Sequence, residues 1–301
     1  MKVSTLGFGL AALLATTGGA LAQQCENPPA IRFSIIPTEE TIQELTLYKP
    51  IVDLLSKNTG KKVEFYMPTS YASVIEAMLG NWVDVAVHGP ASYVIGNEKS
   101  KNIEVFATYA KAKGIFQQEG PGYHAVLVAR KGSKFTDIKA LKGAVVALAD
   151  PASTSGNLLP RVEFADQIGK VELEDYFGKV VYSGSHDKSA IAVAEGKADA
   201  AFVATHRLDN VIQRNLAKAE DFTVLWTSRL VPQDPFTYRG QLCADLKQKI
   251  RDTFLNLHNE ATAQQFLKNL QSVKFVPMEA KDYDIIRDLR KAEEEAKKKR
   301  G

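Results

Sequence analysis

The chain has 301 residues, 45% of them hydrophobic and 24% charged, and a net charge of +3. That length suffices for two domains and a sizeable core. So small a charge, with no basic patch interleaved with aromatics, argues against nucleic acid as a partner.

The first residues read as a targeting segment. Lys2 precedes the apolar stretch LGFGLAALLATTGGALA, and ALA at 20–22 meets the small-x-small cleavage rule. Residues 1–22 are therefore expected to be a signal peptide cleaved after Ala22, leaving an exported protein. Its apolar core is short for a membrane span, and no later stretch approaches about 18 apolar residues. Gln24 stands before Cys25, where a lipid-modified cysteine needs a small residue, so a soluble product is expected. Cys243 is the only other cysteine. Export favours oxidation, but the sequence leaves a Cys25–Cys243 disulfide open, because the Cα atoms must lie within about 7 Å.

Strands and helices then alternate. AIRFSIIP predicts a strand with Ile31, Phe33 and Ile35 on one side, and Thr38, Glu39 and Glu40 give a helix-start signal. Ile42, Leu45, Tyr48, Ile51, Val52 and Leu55 keep helical spacing up to a stop at Gly60. KVEFYM is a second strand, Ser70 caps a second helix, and VDVAV is a third strand. Strand–helix–strand–helix–strand is a parallel α/β unit. The grammar returns after residue 120: HAVLVAR and AVVALAD are strands around the short helix DIKALKG, and KVVYSGS is another strand. A faint repeat relates YASVIEAMLGNWVDVAV to HDKSAIAVAEGKADAAF, with Asp84 and Asp199 leading the strands. VFATYAKA and FTVLWTS are expected to cross between two lobes, 23–112 plus 226–301 and 113–225. The terminal RKAEEEAKKKRG reads as a solvated charged face.

The segment DPASTSGN places Ser153, Thr154 and Ser155 between a proline and a glycine. Three hydroxyls suit neither a strand nor a helix interior, but they suit a helix N-terminus, where free N–H groups and the dipole favour an anion. Other strand ends also deliver polar groups to helix or turn starts: Ser70 and Tyr71, His88, His186 and His206. Open α/β sheets hold ligands at such ends.

SYASVIEAM, VDVAVHGPASYV, PGYHAVLVA, DPASTSGNLLPR, SHDKSAIAVAEGKADAAF and VPQDPF occur in that order. With these motifs the chain resembles the phosphonate/phosphite-binding subunits of ABC importers, a family of type II periplasmic binding proteins. The resemblance implies two lobes, each a mainly parallel sheet flanked by helices, joined by two hinge strands. It also implies a periplasmic protein that acts as a monomer, captures a small tetrahedral oxyanion and delivers it to an importer permease. Ser153, Thr154 and Ser155 would grip the oxyanion, His186 would donate to it, and Tyr71 would approach from the opposite lobe. Tyr123 matches a family tyrosine, and Asp234 matches an acid that in aminophosphonate binders holds the ammonium. Two positions depart: His206 replaces an acidic residue and His88 an aromatic hydroxyl, so 2-aminoethylphosphonate is expected to bind weakly. No Arg or Lys is required on this reading, and no cofactor is expected.

Three other readings compete. The same fold could present its ligand to a membrane sensor kinase. His88, His186 and His206 could hold a metal, although no HxH or HxxxH spacing supports it. Catalysis would need a nucleophile–base pair that the sequence does not display, so no enzyme is expected.

Overall fold

The structure, a computed structural model, describes residues 25–38 and 41–300. The signal-peptide reading of residues 1–22 and the helix-start acids Glu39 and Glu40 lie outside the described residues. Among the described residues no helix is long and apolar enough to cross a membrane.

The first half follows the hydrophobic pattern. Strand β1 (Ala30–Ile35) buries Ile31, Phe33 and Ile35, and helix α1 (Thr41–Thr59) turns Tyr48, Ile51 and Leu55 inward. Next come β2 (Lys62–Tyr66), α2 (Tyr71–Leu79), β3 (Val85–Val87), α3 (Pro90–Lys99) and β4 (Ile103–Lys111). The chain crosses through β5 (Gly122–Tyr123) into β6 (Ala125–Arg130) and β7 (Val145–Leu148). DIKALKG between them forms only a 3-10 turn, Lys139–Leu141. Two stretches of π-helix, Thr154–Leu158 and Pro160–Phe164, run into α4 (Ala165–Gln167). Then follow α5 (Leu173–Tyr176), β8 (Lys179–Tyr182), α6 (His186–Ala194), β9 (Ala200–Ala204), α7 (Thr205–Gln213) and β10 (Phe222–Thr227). Strand β11 (Val231–Pro232) returns the chain to β12 (Pro235–Arg239), α8 (Ala244–Leu255), α9 (Gln264–Asn269), β13 (Ser272–Pro277) and α10 (Asp284–Arg300).

Two sheets result, ordered β13-β4-β12-β3-β1-β2 and β10-β6-β9-β7-β8, with a separate β11-β5 ribbon. Helices flank both, giving the two-lobed type II fold. The sheets are mixed, where the sequence led us to expect mainly parallel ones. β2, β1 and β3 are parallel, as are β8, β7 and β9, but β12 and β6 pair antiparallel with their neighbours. The reason is topological. The parallel strands end at the cleft, whereas β12 and β6 start there, straight from the crossover.

The crossing segments also differ from expectation. β4 stays in the first sheet and β10 in the second, where Trp226 and Thr227 pair with Leu127 and Val126. Both long strands are held by ladders within one sheet, so the crossing falls to the short pairs Val231↔Tyr123 and Pro232↔Gly122. Residues 226 and 227 thus belong with the second sheet.

The internal repeat has a physical basis. Ser70 and Ser185 each cap a helix by accepting an N–H three residues on. Asp84 accepts the Arg32 amide of β1 at 2.8 Å, and Asp199 accepts the Val145 amide of β7 at 2.8 Å. Equivalent caps and equivalent carboxylates fix the same strand–helix–strand turn in both lobes.

Cys25 and Cys243 form a disulfide, with Cα atoms 4.8 Å apart. Beside it Glu26 exchanges backbone hydrogen bonds with Gln241 and Cys243, and Arg239 joins Glu26 to Asp84. An apolar cluster crosses from lobe to lobe. It contains Val74 and Met78 of α2, Leu158 and Leu159 of the π-helical segment, and Ile286 and Leu289 of α10. Only the first half of α10 is buried in this way; beyond Arg290 the helix is mainly exposed.

Candidate ligand-binding site

All but one of the ligand residues singled out from the sequence line a single closed cavity between the lobes. Tyr71, Tyr123, Ser153, Thr154, Ser155, His186, His206 and Asp234 surround about 10 Å³, room for roughly one water in this closed state. The exception is His88. Its ring turns into the core, with Nε2 3.2 Å from Met78 Sδ, because α2 packs over the end of β3.

The π-helical turn builds one wall. Ser153 Oγ accepts the Gly156 N–H at 3.0 Å, and the Leu158 N–H reaches the Ser153 carbonyl five residues back. So wide a turn is uncommon and is frequent at functional sites. It leaves the Thr154 and Ser155 amides at the head of the segment without intrahelical acceptors. Gly156 is obligatory here: a Cβ on it would stand 2.9 Å from the Ala149 backbone nitrogen and 2.9 Å from His186 Cε1.

His186 is held in one tautomer. The Ala204 N–H points at Nδ1 (3.3 Å), so the proton sits on Nε2, which lies 3.1 Å from Ser153 Oγ and 3.0 Å from Ser155 Oγ. Burial, with Arg207 and His206 acting in the same sense, lowers its pKa to about 3. The imidazole is therefore a neutral donor at physiological pH. Burial also raises the Tyr71 and Tyr123 phenols well clear of ionisation, so both stay O–H donors.

The opposite lobe meets this wall with helix N-termini. The Ala91 N–H of α3 donates to Thr154 Oγ1 at 2.8 Å, and the Tyr71 N–H of α2 points at Asp150 Oδ2 at 3.3 Å. With α6 beginning at His186 and α7 at Thr205, positive helix ends converge from both lobes.

One cavity-lining residue went unread in the sequence. Arg207, on the first turn of α7, lines the cavity and lies 3.4 Å from Asp234 Oδ2. The sequence reading required no Arg or Lys here, yet a cation lines the cavity. A buried carboxylate needs a counter-charge, and Arg207 supplies it. The available signal was its place beside His206 after the AAFVAT strand. His206 Nε2 stands 3.6 Å from the same oxygen, beyond hydrogen-bond distance, and its ring packs edge-on against Tyr123. Burial lowers His206 to about 4, Asp234 opposing. Burial pushes Asp234 upward, but His206, Arg207 and Lys111 outweigh it and hold the carboxyl below its usual range.

The histidines do not converge: His88 faces Met78 while His186 faces the serines. Among the described residues no group of three His, Cys, Asp or Glu could hold a metal ion.

The family profile described as ABC transporter, phosphonate, periplasmic substrate-binding protein matches residues 33–283. The chain belongs to that family. This phosphonate-binding family member is 31% identical to the phosphonates-binding periplasmic protein of Escherichia coli, over 77% of this chain and 67% of that protein. It is 26% identical to the phosphate-import protein PhnD of Mycolicibacterium smegmatis, over 96% and 94%. A binding-protein component of an ABC phosphonate transporter from Pseudomonas aeruginosa superposes with a TM-score of 0.81 at 29% identity, covering 90% of this chain and 88% of that one. PhnD1 of Prochlorococcus marinus, solved with methylphosphonate, shares the fold with a TM-score of 0.74 at 21% identity, covering 87% and 97%. The family is one of transport substrate-binding proteins, and its members work in the periplasm.

Proposed function

We propose that this chain captures a tetrahedral oxyanion of the phosphonate, phosphite or phosphate class and hands it, as a monomer, to an ABC importer permease. A leader removed after Ala22 would deliver it to the periplasm. The observation that carries the reading is the donor set at the head of the π-helical turn: the free amides of Thr154 and Ser155, three hydroxyls, and one neutral His186 Nε2–H between two of them. Such a set neutralises a spread charge with dipoles.

Arg207 adds one full positive charge, but Asp234 already offsets it. The site therefore attracts anions without a strong net cation, which favours release. Capture and release follow lobe movement, because the Ala91–Thr154, Tyr71–Asp150 and Arg207–Asp234 contacts join elements of different lobes and part on opening. An ammonium tail has no free carboxylate to meet, since Asp234 is already paired.

The test is thermal unfolding of the mature chain with phosphite, methylphosphonate, 2-aminoethylphosphonate, phosphate, sulfate, arsenate and Zn²⁺. A ligand at about a hundred times its Kd adds about 2.7 kcal/mol, a rise of several degrees. The expected result is a shift with one phosphorus oxyanion, smaller with 2-aminoethylphosphonate, and lost in a folded Ser153→Ala/Thr154→Ala/Ser155→Ala variant. A shift with Zn²⁺ and none with any oxyanion would overturn the proposal.

A further inference from the structure

Next to the oxyanion cavity lies a second, much larger one of about 710 Å³, and His206 and Arg207 line both. Tyr48, Tyr109 and Phe266 give it aromatic walls, and Lys111 and Arg214 supply its other cations. Its arginines have carboxylates: Arg207 has Asp234 at 3.4 Å, and Arg214 has Asp187 at 3.2 Å. Lys111 has none among the described residues. The residue is 2% exposed, and its ammonium donates one hydrogen bond to the Leu270 carbonyl at 2.8 Å and lies 4.2 Å over the Tyr109 ring. An ammonium carries three donors.

A buried cation without a counter-ion is costly, and the cost is relieved when a ligand brings the anion. From this juxtaposition we propose that the natural ligand is bifunctional. Its tetrahedral phosphorus head sits at Ser153–Ser155, and a short apolar linker leads past Arg207 along the aromatic walls to a carboxylate that pairs with Lys111. The inference rests on the oxyanion reading above and names the substrate class within it. Burial, with Arg207 acting in the same sense and Asp234 opposing, lowers Lys111 to about 7. The group is thus poised to take up a proton when a carboxylate arrives. The same cations exclude an ammonium tail.

Two chemistries share this pattern, phosphonocarboxylates and phosphate monoesters of hydroxy acids, and the test separates them. Calorimetry on the mature chain would compare methylphosphonate and propylphosphonate with phosphonoacetate, 3-phosphonopropionate, 4-phosphonobutyrate and 2-phosphoglycolate. The expected result is that one carboxylate ligand binds about tenfold or more tighter than propylphosphonate. A preference for 3-phosphonopropionate over 2-phosphoglycolate assigns the phosphonate class, and the reverse assigns the ester. Lys111→Met should abolish the carboxylate preference while leaving methylphosphonate within about threefold, and Lys111→Gln serves if the first variant does not fold. Tight methylphosphonate binding with no carboxylate preference at any length, or a preference that survives both variants, overturns the inference alone. Failure of every phosphorus ligand, methylphosphonate included, overturns the oxyanion reading and this inference with it.

Discussion

At the scale of single residues, neutrality governs the histidines near the cleft. Burial lowers His88 and His186 to about 3 and His206 to about 4, while in an unfolded chain each titrates near about 6.5. Between those limits the unfolded chain binds more protons than the folded one. These groups therefore make stability fall as pH drops below about 6.5, and they contribute no slope above about 7.5. Urea unfolding of wild type and His88→Met at pH 7, 5.5 and 4.5 checks this. The variant should lose roughly 1 kcal/mol per pH unit of the acid-side slope, and equal slopes would mean that His88 is not buried neutral. Of the cavity-lining residues, the Ser153–Ser155 hydroxyls and His186 were legible because they follow strand ends, where open α/β sheets place their clefts. Whether His88 turned toward the cleft or the core was not legible, since α2 decides that by offering Met78 as a neighbour.

Among elements, the π-helical turn after β7 is the one on which the site depends. A run of hydroxyls announces a helix start in the sequence, but it does not announce that the first bond spans five residues. The wide turn follows from Gly156 packing against the end of β7, where its carbonyl accepts the Ala149 N–H at 3.1 Å. Gly156→Ala puts a methyl into that backbone and against His186. The expected cost is about 1–3 kcal/mol of stability, together with a loss of oxyanion affinity larger than that for a surface Gly→Ala control. Denaturant melts and calorimetry measure the two effects. Unchanged affinity would mean that the turn does not shape the site. The paired signatures Ser70…Asp84 and Ser185…Asp199 were readable as a faint repeat, and the structure gives the reason: each aspartate binds a backbone amide of the first parallel strand in its lobe.

Across the whole molecule, the Cys25–Cys243 bond ties the start of the described chain to the α8 end of the first lobe, across a separation of 218 residues. Closing so long a loop is worth about 2–4 kcal/mol. Replacing both cysteines by serine should lower the melting temperature by several degrees and leave oxyanion binding intact, because neither cysteine lines the cavity. An unchanged melting temperature would show that the Glu26 backbone bonds and its Arg239 ion pair hold this end unaided. The sequence by itself determined the alternating α/β grammar, the two-lobe repeat and the hydroxyl-rich strand end. Each of these is a local pattern that periodicity and capping chemistry expose. Only the tertiary structure decided which segments cross between lobes, that Arg207 neutralises Asp234, and that Lys111 has no carboxylate partner among the described residues. Those outcomes depend on which distant side chains share one low-dielectric space, and no local pattern along the chain encodes that.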